Sequence, residues 1–490
     1  MVRTFKKLII AALCCGLIAC SGGASDSEAR LAFVGSSSAM FDKGLRLSPA
    51  AQHVRAATAE GLVSLDKDGT IIPGVAERWV ITDDGRSYIF RLRNTHWPGG
   101  KTLTGEMVRD ALNHNLEQLD GTSLALDLDI ISDIRAMAGR VVEIRLKSPM
   151  PDFLQLMAQP EMGIVIDGHG DGPMGLHRDG DVALLRAFPP GSRGLPDDPD
   201  WEDNNREVMV QAGSAAAVVD SFNKGQVDTV LGGSLSNLPL AAQGPLSRGT
   251  VRLDAVTGML GLRVMRTEGI LADAGNREAL AMAMDREALL QPFNIGGWVA
   301  TTRIVLPGRP DDSGTIKERW IGFNLDERIN TARARIAGWS SKTGQNASVS
   351  VFLPDGPGSD ILFNRLQADW GRAGIRTIRA KAIGAADLAL FDRVARYDGT
   401  RWYLNQFNCS LKALLCSPMA DRLVSEAVAS DDMATRIDLL ADAEAELTRQ
   451  NGYIPIGAPV RWSLVRGNVS AFADNHWGVH PLFPYAVDPI

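Results

Sequence analysis

The fold of this chain is decided by residues 60–108, which read EGLVSLDKDGTIIPGVAERWVITDDGRSYIFRLRNTHWPGGKTLTGEMV. Within them, the DDG at positions 83–85 is a turn signal between two strands. After the turn, apolar and polar side chains alternate, which predicts a strand with one buried face. That face consists of Tyr88, Phe90 and Leu92. Thr104, followed by Glu106, predicts the start of a helix. Before the turn, we expect the Trp79 side chain to lie in the core.

The same two patterns recur along the rest of the chain. Strand-like alternation returns at residues 142–147. Helical spacing of apolar residues follows Asp360 and is stopped by Gly374, after which a strand is predicted at residues 375–380. Another amphipathic helix is predicted around residues 437–447. Together the patterns predict an α/β protein with mixed sheets.

Composition narrows the class of protein. The chain has 490 residues, of which 45% are hydrophobic and 22% charged. These proportions exclude disordered, collagen-like and coiled-coil chains, and the length predicts two or three domains. A net charge of −7 argues against a nucleic-acid partner, which would need a basic face.

The N-terminus carries an export signal. Basic residues at positions 3, 6 and 7 precede an apolar run that ends in Leu17-Ile18-Ala19-Cys20. This run resembles the lipobox of bacterial lipoproteins, in which cleavage leaves Cys20 as the lipidated first residue; the alternative is a plain secretory leader. We therefore expect a signal peptide at 1–19, a flexible tether at 20–29, and a periplasmic protein anchored to a membrane by lipid.

Of the five cysteines, Cys14 and Cys15 lie in the predicted signal peptide. After Cys20 there are two more, Cys409 and Cys416, which lie outside the cytoplasm on this interpretation. An oxidising compartment favours a disulfide that closes the small C-x6-C loop. Two free thiols are the alternative. A metal site is disfavoured because no second pair of Cys or His residues lies nearby.

No motif for covalent chemistry stands out. The chain has no G-x-S-x-G elbow and no Walker loop. The G-x-G-x-x-G match at 170–175 contains Pro173 and no helix pattern follows it, and His476 and His480 are separated by Gly478. We therefore predict no catalytic residues, no metal and no cofactor.

Residues 60–108 and later segments resemble the peptide/oligopeptide/nickel class of ABC-transporter solute-binding proteins. The class pattern is E-G-L, P-x-L-A-E-x-W, D-G-x-x-Y-x-F-x-L-R and G-x-x-L-T-A-x-D-V, in this order. Weaker matches follow at 225–228, 277–287, 370–375 and 452–456, so the resemblance covers essentially the mature chain.

The resemblance implies a two-lobed periplasmic-binding-protein fold with mixed sheets, a hinge, and an extra domain inserted in the first lobe. The expected boundaries are 30–50, 165–265 and 466–490 for lobe I, 51–164 for the inserted domain and 266–465 for lobe II.

One segment departs from the class. Peptide binders carry W-x-x-D-Y-x-x-P in a cleft loop, and the Asp pairs with the α-amino group of the peptide. Here residues 393–400 read RVARYDGT, which places Arg396 on the Asp position. An arginine cannot accept hydrogen bonds from an ammonium group, but it suits a carboxylate or phosphate. A shifted alignment, or Asp398 or Asp392 in the amine-binding role, are the alternatives.

The ligand-contacting residues implied by this alignment are Arg393, Arg396, Tyr397, Asp398, Trp402, Asn405 and Cys409. The implied function is capture of a peptide or peptide-like solute by a monomer that serves an ABC permease and ATPase. Arg396 adds the hypothesis that this solute is anionic or modified at its N-terminal end. The rival functions are a binding or sensing lipoprotein without a permease, and a lipoprotein hydrolase.

Overall fold

The computed structural model describes residues 28–97, 100–241, 249–412 and 414–487. The predicted signal peptide and Cys20 lie outside these residues. Three sheets organise the chain, with helices packed around them. Within the described residues, no helix has the length and apolar character that crossing a membrane requires.

The first lobe is built on a mixed seven-stranded sheet. Its central strand pairs in parallel with both neighbours, whereas the outer pairings are antiparallel. In order across the sheet, the strands are Met174–Asp179, Val182–Ala187, Glu207–Gly213, Glu28–Val34, Thr229–Ser234, Arg461–Val465 and Val251–Asp254.

The second lobe is built on a mixed five-stranded sheet. In order across it, the strands are Arg376–Arg379, Ser348–Phe352, Leu388–Val394, Gly258–Val264 and Tyr453–Gly457. The first three pair in parallel, and Gly258–Val264 runs antiparallel to both of its neighbours.

The inserted part contains an antiparallel four-stranded sheet, whose strands in order are Ala76–Ile81, Ser87–Leu92, Val141–Leu146 and Ile131–Met137. The turn at 83–85 joins the first two, and Gly85 adopts the left-handed conformation, with φ of 66°. The Thr104 hydroxyl caps the following helix by accepting from the Met107 N–H. Two small hairpins pair Val63–Leu65 with Ile71–Pro73 and Val165–Ile166 with His169–Gly170.

The α-helices are Pro49–Thr58, Gly105–Gln118, Ser123–Leu128, Phe153–Met157, Ala215–Asn223, Leu238–Ala241, Ala274–Met282, Arg286–Leu290, Leu325–Thr343, Pro357–Arg372, Thr400–Asn405, Pro418–Ala429, Met433–Gln450 and Phe483–Val487. The mixed α/β architecture agrees with the fold class predicted from the sequence.

Strand membership moves the expected domain boundaries. Gly258–Val264 lies in the second sheet, so the first crossing falls at residues 255–257 rather than at 265. Arg461–Val465 lies in the first sheet, so the return falls at 458–460 rather than at 465. Both differences arise because a sheet strand follows directly after each crossing. Helix Pro49–Thr58 also belongs to the first lobe, because Ala50, Val54 and Ala57 pack in its core.

Candidate ligand-binding cleft

Two cavities of about 470 Å³ and about 410 Å³ lie where both lobes and the inserted part meet. Residues from all three parts line them, which is the arrangement of an interlobe ligand site. The residues common to both cavities are Leu47, Ser123, Arg393, Arg396 and Gln406.

Arg396 is already paired across this cleft. Its Nη1 and Nη2 donate to the two oxygens of Glu161, each at 2.8 Å, and Nη1 also donates to Gln159 Oε1. Glu161 lies on the short 3-10 helix Pro160–Met162, with its side chain 2% exposed. Burial lowers the pKa of Arg396, but the Glu161 carboxylate outweighs it, so the pKa is raised. The positive charge of Arg396, which the sequence predicted to bind an anionic ligand, is therefore largely neutralised by Glu161.

Arg393 has a different environment. It projects into both cavities, and its Nη1 donates to Gln406 Oε1 at 3.2 Å. Its guanidinium carbon lies 4.8 Å from the centre of the Phe391 ring. Burial, reinforced by neighbouring Arg263 and Arg396, lowers its pKa. In the described part of the chain no carboxylate is within ion-pair distance of Arg393.

Tyr397 and Asn405 do not line either cleft cavity. Both are buried and donate to Asp127 Oδ1 of the inserted part, at 2.9 and 2.7 Å. Arg401 completes the contact by donating to the Asp127 carbonyl at 2.7 Å. Burial raises the pKa of Asp127 to about 6, although these partners oppose the shift. Tyr397 and Asn405, which were predicted to contact ligand, join lobe II to the inserted part in this structure.

Both aspartates proposed as substitute amine anchors are paired with arginines in the structure. Asp398 pairs with Arg309 and borders a separate cavity together with Asp152. Asp392 pairs with Arg461 at 2.8 Å, and this ion pair joins the two sheets beside the crossing segments. Both carboxylates are occupied by arginines of the protein.

Trp402 and Cys409 complete the expected set. Trp402 lines the smaller cavity and meets Tyr403 edge to face, with ring centroids 4.9 Å apart. Cys409 is bonded to Cys416 in a disulfide and lines neither cavity, although Leu411 of the same loop lines the larger one. The loop is thus tied down at the rim of the cleft.

Several cleft residues escaped the sequence-based prediction, namely Arg46, Gln159, Glu161, Arg263 and Gln406. One of them left a signal: Arg263 is the single charged residue of strand Gly258–Val264, which is otherwise apolar or glycine. Glu161 and Gln159 left none, because their partner lies 235 or more residues later in the chain.

Structural comparison defines the class of fold. The chain has the two-lobed fold of a periplasmic binding protein. It superposes on the crystal structure of Haemophilus influenzae OppA in complex with RPPGFSPFR, with a TM-score of 0.77 and 16% identity over 94% of this chain and 99% of the other.

Sequence comparison gives the family. Residues 70–192 match the model of bacterial extracellular solute-binding proteins, family 5 Middle. The periplasmic oligopeptide-binding protein OppA of Salmonella typhimurium is 21% identical over 96% of each chain. A probable di/tripeptide-binding protein 5 of Pseudomonas aeruginosa is 22% identical over 84% of this chain and 86% of its own. The matched segment and these relatives are those of the family 5 extracellular solute-binding proteins, whose members are binding proteins rather than enzymes.

Proposed function

We propose that this protein captures a peptide or peptide-like solute between its lobes and delivers it to an ABC importer as a lipid-anchored periplasmic component. The observation that carries the proposal is the pair of adjoining cavities between the lobes, of about 470 and 410 Å³. Cavities of this size suit small ligands. The full-length likeness to oligopeptide- and di/tripeptide-binding proteins supports the peptide class.

Two crossing segments, residues 255–257 and 458–460, join the lobes. Such short connections are suited to hinge closure around a ligand. The contacts of Arg396 with Glu161 and of Tyr397 with Asp127 connect lobe II to the inserted part across the cleft. In our proposal, they help to hold the closed form, which docks on the permease.

The ligand is anionic or modified at the end that peptide binders of this class anchor through an aspartate. Three observations support this. Arg396 stands at that position in the alignment predicted from the sequence. In the structure, Glu161 beside it is neutralised by Arg396, and Asp392 and Asp398 pair with other arginines. An incoming ammonium group would meet no free carboxylate among these residues.

Isothermal titration calorimetry with matched free and N-acetylated tripeptides tests this proposal. We expect acetylation to change the dissociation constant by less than about threefold, because no charge-assisted contact to the amine is lost. A hundredfold preference for the free amine would contradict the proposed recognition, and no binding of either peptide would contradict the peptide class.

The lipid anchor rests on the sequence ending in Cys20. Labelling cells with radioactive palmitate should mark the protein, and Cys20→Ala should abolish the label and release the protein in soluble form. Label that survives the substitution would refute this anchor. Loss of solute uptake in a deletion strain, restored by the intact gene, tests the transport role.

A further inference from the structure

The larger cleft cavity carries a surplus of positive charge. Four arginines line it, but only one carboxylate, Glu161, does so. That carboxylate is engaged by Arg396. Within the described residues, the other three arginines form no ion pair; they are Arg46, Arg263 and Arg393.

Arg263 and Arg393 are held as a pair by the second sheet. They lie on adjacent antiparallel strands, where Arg263 pairs with Ala389, and Arg393 follows two register positions beyond Phe391 on the same face. Phe391 lies between them, with its ring centre 5.6 Å from the Arg263 guanidinium and 4.8 Å from that of Arg393. Arg263 also lies 5.9 Å from the ring centre of Phe407.

Aromatic faces orient these two guanidiniums but do not neutralise them. Among the described residues, Arg393 forms no ion pair with a carboxylate. Its side-chain hydrogen bond goes to the neutral Gln406 oxygen. Burial lowers the pKa of Arg263, and burial together with the charge of Arg263 lowers that of Arg393. Two like charges held together without a counter-charge destabilise the empty site, because each charge is buried and the two repel each other. A bound oxyanion would offset both the burial of charge and the repulsion.

We propose that Arg263 and Arg393 form an anion subsite that binds a carboxylate or phosphate group of the captured solute. This inference rests on the proposed function and names the chemistry of the ligand. Paired guanidiniums present several planar N–H donors, which match the oxygens of such groups. Arg46 of the first lobe borders the same cavity, so a bound anion would attract charges from both lobes and favour closure.

Calorimetry with charge-matched probes tests the subsite. The probes are an N-acetylated neutral tripeptide amide, the same peptide with a glutamate or a phosphoserine, and inorganic phosphate. We expect the acidic peptides to bind at least tenfold more tightly than the neutral one. Arg263→Gln and Arg393→Gln should each weaken the acidic peptides about tenfold to a hundredfold, and should weaken them more than the neutral one.

Arg365→Gln is the matched control, because Arg365 is exposed on the outer helix Pro357–Arg372, away from both cavities. It should leave all affinities unchanged. Thermal melting shows whether each variant is folded, and higher salt should weaken only the acidic probes.

The outcomes separate the two proposals. Equal affinity for neutral and acidic peptides, or acidic binding that survives both substitutions, overturns the anion subsite and leaves peptide capture intact. Arginine-dependent binding of phosphate without peptide binding supports the subsite and refutes the peptide class. Whichever of the glutamate and phosphoserine peptides binds more tightly identifies the anionic group.

Discussion

The ion pair between Glu161 and Arg396 provides a quantitative test of lobe closure. Its carboxylate is almost wholly buried, with the side chain 2% exposed, whereas the guanidinium side chain is 25% exposed. Removing one partner of a buried pair costs about 3–5 kcal/mol because a charge is left uncompensated. Since Arg396 retains some access to solvent, we expect Glu161→Gln to lower the free energy of unfolding by about 3 kcal/mol, at the low end of that range.

A double-mutant cycle isolates the interaction. Glu161→Gln, Arg396→Gln and the double variant are unfolded in urea at pH 7, with tryptophan fluorescence as the signal. The expected coupling is about 2 kcal/mol. The control cycle uses the exposed pair of Arg91 and Glu77, whose atoms are 3.0 Å apart and whose side chains are 44% and 40% exposed; its coupling should stay below about 1 kcal/mol. Equal coupling energies in the two cycles would refute the stabilising role of the ion pair between Glu161 and Arg396.

Three further predictions concern other parts of the structure. Burial raises the pKa of Asp127 from an ordinary 3.8 to about 6. The folded chain therefore binds the proton of this carboxyl group more tightly than the unfolded chain does. The free energy of unfolding should fall by about 3 kcal/mol from this group as the pH rises from below 4 to above 6. Thermal melts over this pH range should show a smaller loss of stability for Asp127→Asn, with a remaining loss from Asp152, whose pKa is also raised to about 6. An unchanged loss in the variant would contradict the shift. Replacing Cys409 and Cys416 together by serine should cost about 2 kcal/mol, measured by urea unfolding, because the small loop is no longer closed; no loss would count against the disulfide. Gly258→Ala, beside the hinge, should lower the free energy of unfolding by about 2 kcal/mol or more, since φ is +144° and a Cβ would lie 2.1 Å from a carbonyl oxygen. Gly384→Ala is the control, because the space around Gly384 is open. Equal melting temperatures of the two variants would contradict the strain.

Local features were predictable from the sequence because they depend on neighbouring residues. The helix capped by Thr104 and the turn at Gly85 are examples. Trp79 was expected in the core, and its side chain packs against the core cluster. It is only half-buried, because its strand lies at the edge of the four-stranded sheet. The family resemblance supplied the lobes, which local patterns alone could not.

Pairings between distant segments were beyond the sequence. The charge of Arg396 can be read from the sequence, but its partner Glu161 lies 235 residues earlier. The same holds for Tyr397, whose partner Asp127 is 270 residues away. These pairings decide which arginine lacks a carboxylate partner. The structure, rather than the sequence, therefore points to Arg263 and Arg393 as the anion subsite.

Native mass spectrometry of the protein purified from its own host, followed by release and sequencing of any bound molecule, tests solute capture most directly. We predict a one-to-one adduct with a small peptide-like solute that carries a carboxylate or phosphate and lacks an essential free amine. The adduct should be lost when Arg263 and Arg393 are both replaced by glutamine. A protein that carries no solute, or one whose bound molecule is a cation, would contradict capture of an anionic solute in this cleft.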